Sequence, residues 1–202
     1  MNNAELKEKV IFPNYTQIPT KVPLKVWHLF RALSITFAVF IVLILFLYPD
    51  KGLFIIWKFL FPLLPIVFLF IPGLWRNICP LAALNQLPRL FGFSRGLNPS
   101  NRIKEYGYVI GISMFFILAS SRKVVFNESG IASAFLIFSA LTFAFIGGII
   151  YKGKSGWCST ICPLLPVQRL YAQTPFVTVP NSHCKPCQGC AKNCYDFNPS
   201  VA

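Results

Sequence analysis

The sequence predicts an all-α membrane protein: four transmembrane helices built as two helix-pair repeats, with a small cysteine-rich tail behind them. Three observations lead there. Of the 202 residues, 55% are hydrophobic and only six are acidic, a balance that suits a bilayer rather than a water-soluble core. Four stretches reach the length of about 20 apolar residues that a crossing helix needs. The seven cysteines are confined to the ends of the second and fourth stretches and to the terminal segment.

Residues 1–25 form a polar N-terminal segment, and the first apolar run, 26–48, is followed by Pro-Asp-Lys-Gly with no small-residue cleavage site. That run is an anchor, not a removable signal. The second, 53–75, contains Lys58 and is interrupted by Pro62 and Pro65. A lysine there is expected to snorkel, and neighbouring helices make intramembrane prolines tolerable. The third, 106–126, opens with Gly107 and Gly111, a small-xxx-small pair expected to pack closely within the chain. The fourth covers 131–151, and 152–202 form the tail.

The net charge of +13 could suit nucleic acid, but its distribution follows membrane topology. Lys7, Lys9, Lys21, Lys25 and Arg31 surround the start of the first span. Arg76, Arg89, Arg95, Arg102 and Lys104 lie between spans two and three, and Lys152, Lys154, Arg169, Lys185 and Lys192 follow span four. The opposite loops hold only Lys51, Arg122 and Lys123. The positive-inside rule then puts both termini in the cytoplasm of a multi-pass protein, with membrane lipid as its surroundings and no nucleic acid as partner.

The tail holds Cys184, Cys187, Cys190 and Cys194, the spacing with which bacterial ferredoxins bind a 4Fe-4S cluster. Overlapping Cys-x-x-Cys knuckles favour a cubane over zinc, which takes two separated knuckles. A reducing compartment keeps such thiols free for metal. The remaining cysteines fall in matched sites, Asn-Ile-Cys-Pro-Leu around Cys79 and Thr-Ile-Cys-Pro-Leu around Cys162, offset by 83 residues (162 − 79). Cys158 stands four residues before Cys162, a separation that puts two sulfurs on one face of a helical turn. The segment after each elbow is mixed in polarity and is expected at the membrane interface. Haem is disfavoured because only His28 and His183 exist, and no phosphate loop, nucleophile triad or paired catalytic carboxylates are present.

These motifs resemble the NapH, NosR and MauN type of membrane ferredoxin, whose transmembrane helices end in cytoplasmic Cys-x-x-x-Cys-Pro motifs ahead of a ferredoxin segment. Residues 158–163 match that motif in full, whereas Trp75 stands where the leading cysteine of the first copy would be. The ferredoxin run occurs once, with Tyr195 after its last cysteine. The resemblance implies electron transfer at the bacterial inner membrane. Two clusters need eight ligands and seven cysteines exist, so one cluster or two remain open. In one arrangement Cys194 joins Cys79, Cys158 and Cys162, and His183, Asp196 or a partner completes the tail cluster; in another, the four tail cysteines hold one cube.

Two functions are compatible with this sequence. One is an electron-transfer subunit that relays electrons to or from a quinone, a partner redox protein or a larger complex, rather than a self-contained enzyme. The other is a structural or assembly subunit whose cluster is not redox-active in turnover. The topology can be checked directly: a reporter fused after Ala202 is expected to behave as cytoplasmic and one inserted at Asp50 as extracytoplasmic. The reverse pattern would remove the compartment on which the thiol chemistry depends.

Overall fold

The computed structural model describes residues 23–97, 100–151, 157, 158 and 160–171. Among these, regular structure is helical apart from an isolated parallel bridge between Leu97 and Tyr151. Four helical stretches are long and apolar enough to cross a membrane, so the protein is a multi-pass membrane protein: Leu24–Leu47 (α1), Pro49–Phe70 (α2), Val109–Phe126 and Gly130–Ile150 (α6). The third lies in a helix that begins earlier, Asn101–Ser121 (α5), and runs on through Arg122–Phe126. Among the described residues there are also three short helices: Pro72–Ile78 (α3), Pro80–Leu90 (α4) and Leu164–Tyr171 (α7).

The spans fall within a few residues of their expected positions, except that the second stops at Phe70 rather than at 75. Ile71 leaves the helical region with φ −140°, and Pro72 begins α3 at its first position. Proline suits that place because the first helical N–H has no intrahelical acceptor. Lys58 is exposed, with its ammonium 5.7 Å from the Phe54 ring centre, in keeping with a snorkelling lysine rather than a buried functional one.

Pro62 and Pro65 have a further effect on α2. A proline inside a helix lacks the N–H and crowds the carbonyl one turn before it. Residues Phe54–Leu60 accordingly widen to π-helical winding, and the Phe61 N–H reaches back five residues to the Ile56 carbonyl. In that register the Trp57 carbonyl faces residue 62, which has no N–H to give. Arg122 supplies the missing donor from the end of the third span: its Nη2 donates to the Trp57 carbonyl at 2.7 Å, and its guanidinium lies 5.0 Å from the Trp57 ring centre. The Trp57 indole donates to Ser133 Oγ at 3.0 Å, and that hydroxyl donates to the Phe126 carbonyl at 2.7 Å. Spans two, three and four are thereby tied at one end of the bundle.

Above this knot the apolar faces of α1, α2 and α6 meet in a core of Ile41, Leu45, Ile56, Trp57, Ala134 and Leu141 with their neighbours. Gly130 lets α6 start against Pro49 and the Leu45 carbonyl, where a Cβ would overlap both. The third span is peripheral. Only 6% of its crossing window is buried within the chain.

The segment after the first elbow departs from its expected place at the interface. α4 turns back into the bundle and packs between α1 and α6, with Ala82, Ala83, Asn85, Gln86 and Pro88 buried. Gly148 makes the crossing possible, since a Cβ there would run into the Asn85 backbone, and Asn85 Nδ2 donates to the Ala144 carbonyl at 2.8 Å. The chain beyond α4 then caps the end of α6. Ser94 Oγ, Arg95 N and Leu97 N donate to the carbonyls of Gly148, Ile149 and Ile150 at 2.8, 2.7 and 3.0 Å, and Arg89 reaches that of Tyr151 at 3.3 Å. These are the carbonyls a helix end leaves without partners.

Replacing Arg122 by Met keeps the length of the side chain but leaves the Trp57 carbonyl unpaired. The expected loss is about 1–3 kcal/mol of stability, measured as an earlier midpoint in a denaturant titration of the detergent-solubilised protein, while Lys123→Met on the exposed neighbour should change little. Equal midpoints for the two variants would show that Arg122 has no such role.

Candidate metal centre

The first elbow turns on a single residue. α3 ends at Ile78, and Cys79 swings out of the helical region (φ −52°, ψ 123°) to serve as the N-cap of α4, with Pro80 at the first helical position. One residue therefore ends a helix and starts the next. In the second copy Cys162 and Pro163 come just before α7, with Pro163 in a turn ahead of its first residue, Leu164. Here the Trp157 carbonyl accepts the N–H groups of Thr160, Ile161 and Cys162 at 3.3, 3.1 and 3.1 Å. Cys158 and Cys162 thus lie in turns wound about one carbonyl, instead of on a regular helical face.

The elbows meet. Cys79, Cys158 and Cys162 are buried in one cluster with Ala82, Ala144, Trp157 and Leu165, and the three line one cavity with Arg76 and Gln168. Met114 of α5 and Ala140 of α6 pack against the same cluster. Ala144 lies six residues from the end of α6 at Ile150 (150 − 144), or about 9 Å at the helical rise, so the cysteines sit inside the bundle rather than out at the level of the helix ends. Re-entry of α4 is what draws Cys79 in.

The glycines of the third span explain how the second elbow comes so close. A Cβ on Gly107 would stand 3.1 Å from the Thr160 carbonyl oxygen, and one on Gly111 would stand 3.3 Å from that of Cys162. The small-xxx-small pair therefore packs within the chain, as its sequence suggested. In the first copy the residue equivalent to Thr160 is Asn77 (160 − 83). Its carbonyl accepts from Nε of the buried Arg31 at 3.0 Å, and its Nδ2 donates to the Gly73 carbonyl at 3.0 Å.

Burial pushes the Cys162 thiol up to about 12, and the nearby Cys79 adds to the rise. The backbone N–H groups of Leu164 and Leu165 and the Trp157 side chain oppose it. Two thiols that resist ionising together in an apolar corner can both become thiolates only where a cation compensates them. The amino ends of α4 and α7 also open here, and a helix start favours negative charge. Two indole donors, Trp75 Nε1 and Trp157 Nε1, are buried without an acceptor in hydrogen-bond geometry.

The donors fit a thiolate-held cluster in kind: three buried cysteines, two helix starts and a cation in the wall. Space is tighter. The cavity has about 10 Å³ of room, close to what one water requires, and a cluster would need the elbows to stand further apart. Among the described residues no three His, Cys, Asp or Glu side chains are grouped as ligands of a single metal ion. Cys184, Cys187, Cys190 and Cys194 lie outside the described residues, as do His183 and Asp196. Of the sequence-predicted site residues, then, three are brought together. Trp157, Gln168 and Asn77 were not singled out from sequence, although aligning the two elbows residue by residue marks Asn77 and Thr160 as counterparts. No family model, no curated protein and no solved structure matches the chain.

Gly107→Val and Gly111→Val should each force α5 away from the elbow at a cost of roughly 1–3 kcal/mol. The check is a lowered thermal midpoint in detergent together with faster maleimide labelling of Cys158 and Cys162. Ile117→Val, on the exposed side of the same helix, is expected to leave both readings near wild type.

Proposed function

We propose that the chain is a membrane-bound iron–sulfur electron-transfer subunit of the NapH, NosR and MauN type, working at the cytoplasmic face of a bacterial inner membrane. The observation that carries this reading is the convergence of Cys79, Cys158 and Cys162, contributed by two separate repeats, on one buried cavity. Three cysteines from distant parts of the sequence meeting at one point is more than the packing preference of a single buried cysteine would supply. These three would bind three irons of a 4Fe-4S cluster, with Cys194 from the tail as the fourth ligand. Cys184, Cys187 and Cys190 would hold a second, completed by a non-cysteine group or a partner; with one cluster only, all four tail cysteines hold it. Bound there, such a cluster supplies reversible one-electron exchange.

The protein's own groups have distinct tasks in this scheme. The four spans keep water away from the thiolates, Pro80 and Pro163 fix the cysteines at helix starts, and Arg76 in the cavity wall offsets net negative charge. Fifteen of the Lys and Arg side chains, counted as five in each of three segments, argue for the cytoplasmic side. A site inside the bundle can exchange electrons with a quinone in the bilayer or with a docked redox protein, and so small a chain suits a place in a larger membrane complex.

The close packing of the cavity favours one other reading, in which the elbow cysteines are buried hydrophobes and a single tail cluster serves assembly. Iron and sulfide counts on anaerobically purified protein distinguish the two. Cys187→Ala should remove about four irons per chain while the helices stay inserted. Cys162→Ala should remove a comparable amount together with one low-temperature paramagnetic signal of the reduced protein. A Cys162→Ala protein with the wild-type iron count and spectrum would favour the assembly reading.

A further inference from the structure

Lys58 stands inside the second span and faces outward from the chain. The span has 22 residues, about 33 Å at the helical rise, against a hydrocarbon core of about 30 Å. Lys58 lies nine residues in from Pro49 (58 − 49), which puts its Cα about 12 Å below the nearer boundary and close to mid-depth. Its four-carbon stem extends only about 6 Å. The ammonium sits 5.7 Å from the centre of the Phe54 ring, one turn nearer that boundary. This is the direction of snorkelling, but the reach falls short of the headgroups. A charge left in hydrocarbon at such a depth is unfavourable, and intramembrane ionisable side chains are as a rule paired. The chain has no carboxylate to offer at this level: Asp50 is eight residues away beside Pro49 (58 − 50), and the other five acids fall outside all four spans.

The surroundings of Lys58 have the form of a helix-packing surface. Phe54, Lys58, Pro62 and Ile66 follow one another at four-residue spacing, with Phe59 and Leu63 beside them, and all are exposed. Such a row is a ridge of the kind that seats in the groove of a neighbouring helix. We propose that this face of α2 docks a transmembrane helix of a different protein, one that carries an aspartate or glutamate within its span to pair with Lys58. Charge complementarity selects that occupant. A second copy of this chain has no acid at the required depth, and an anionic headgroup would have to be drawn about 6 Å into hydrocarbon to meet the ammonium. The proposal needs only the membrane spans and holds whatever the cysteines bind.

The test uses the labelled full-length protein in phosphatidylcholine vesicles with a labelled Leu-rich peptide of about 20 residues bearing one aspartate at the depth of Lys58. Energy transfer reads their association. Wild type is expected to bind this peptide about tenfold more tightly than its all-Leu counterpart. Lys58→Met should lose that preference while keeping the wild-type denaturant midpoint, and Lys58→Asp should favour a peptide with a central lysine instead. Equal affinity of wild type for the aspartate and all-Leu peptides, or a preference that survives in Lys58→Met, overturns the proposal. In native membranes, a photo-crosslinker at Phe59 or Ile66 is expected to trap a segment of another protein whose span contains aspartate or glutamate, with a lower yield in Lys58→Met. Adducts with lipid alone, or with a second copy of this chain, overturn it as well.

Discussion

Backbone polar groups inside a bilayer must find partners within the protein, and the chain meets this demand at the places where its helices are broken or reversed. The first repeat stops α3 and starts α4 on a Cys-Pro step, and in the second a Cys-Pro step leads into α7. Proline contributes no N–H to be satisfied, and the Trp157 carbonyl gathers three N–H groups that the second turn would otherwise leave bare. Where α2 is broken by its prolines, a side chain from another span closes the gap. Where α6 ends, residues 94–97 do so. Bringing three cysteines together inside the bundle depends on these repairs, since a re-entrant turn with bare amides would not be stable there.

The two repeats use one plan with different fillings. Both elbows carry Ile-Cys-Pro-Leu, and both are followed by a short helix that packs against the spans, α4 on α1 and α6, α7 on α2 and α5. In the second repeat α5 meets its elbow through glycine, backbone to backbone. In the first, α1 meets its elbow through a buried arginine that donates to a carbonyl. The second contact is close and depends on shape, while the first spans a gap with charge. The same asymmetry appears in the leading position, cysteine in one copy and tryptophan in the other.

Much of this was legible in the sequence because it rests on length, period and spacing. Four apolar runs of sufficient length give four spans, and the repeat of Ile-Cys-Pro-Leu points to matched elbows before any coordinates. The glycine pair of the third span found its partner within the chain. What the sequence did not disclose is where each short helix lies. Residues 80–90 have the mixed polarity of an interfacial helix, yet Asn85 and Gln86 are among their most buried members. Polarity alone cannot separate a side chain facing water from one bonded to a carbonyl of another span. Arg31 was hidden in the same way: a base near a span's start reads as a topological charge, and its further role, the bond to Asn77, depends on a fold that brings residues 46 apart together. The early end of the second span follows from Pro72, which is visible in the sequence but was outweighed by the apolar residues around it.

The tight crossing of α4 and α6 bears on how the protein is made. Helices enter the membrane in the order in which they are synthesised, so the first hairpin and α4 must wait for α6. During that interval Gly148 has not yet arrived to receive the Asn85 backbone, and the Asn85 amide has no Ala144 carbonyl to bond. The first half of the chain is therefore not a self-sufficient membrane unit, despite its likeness to the second. The cysteine corner can thus close only after the second hairpin has supplied Gly148, Ala144, Cys158 and Cys162.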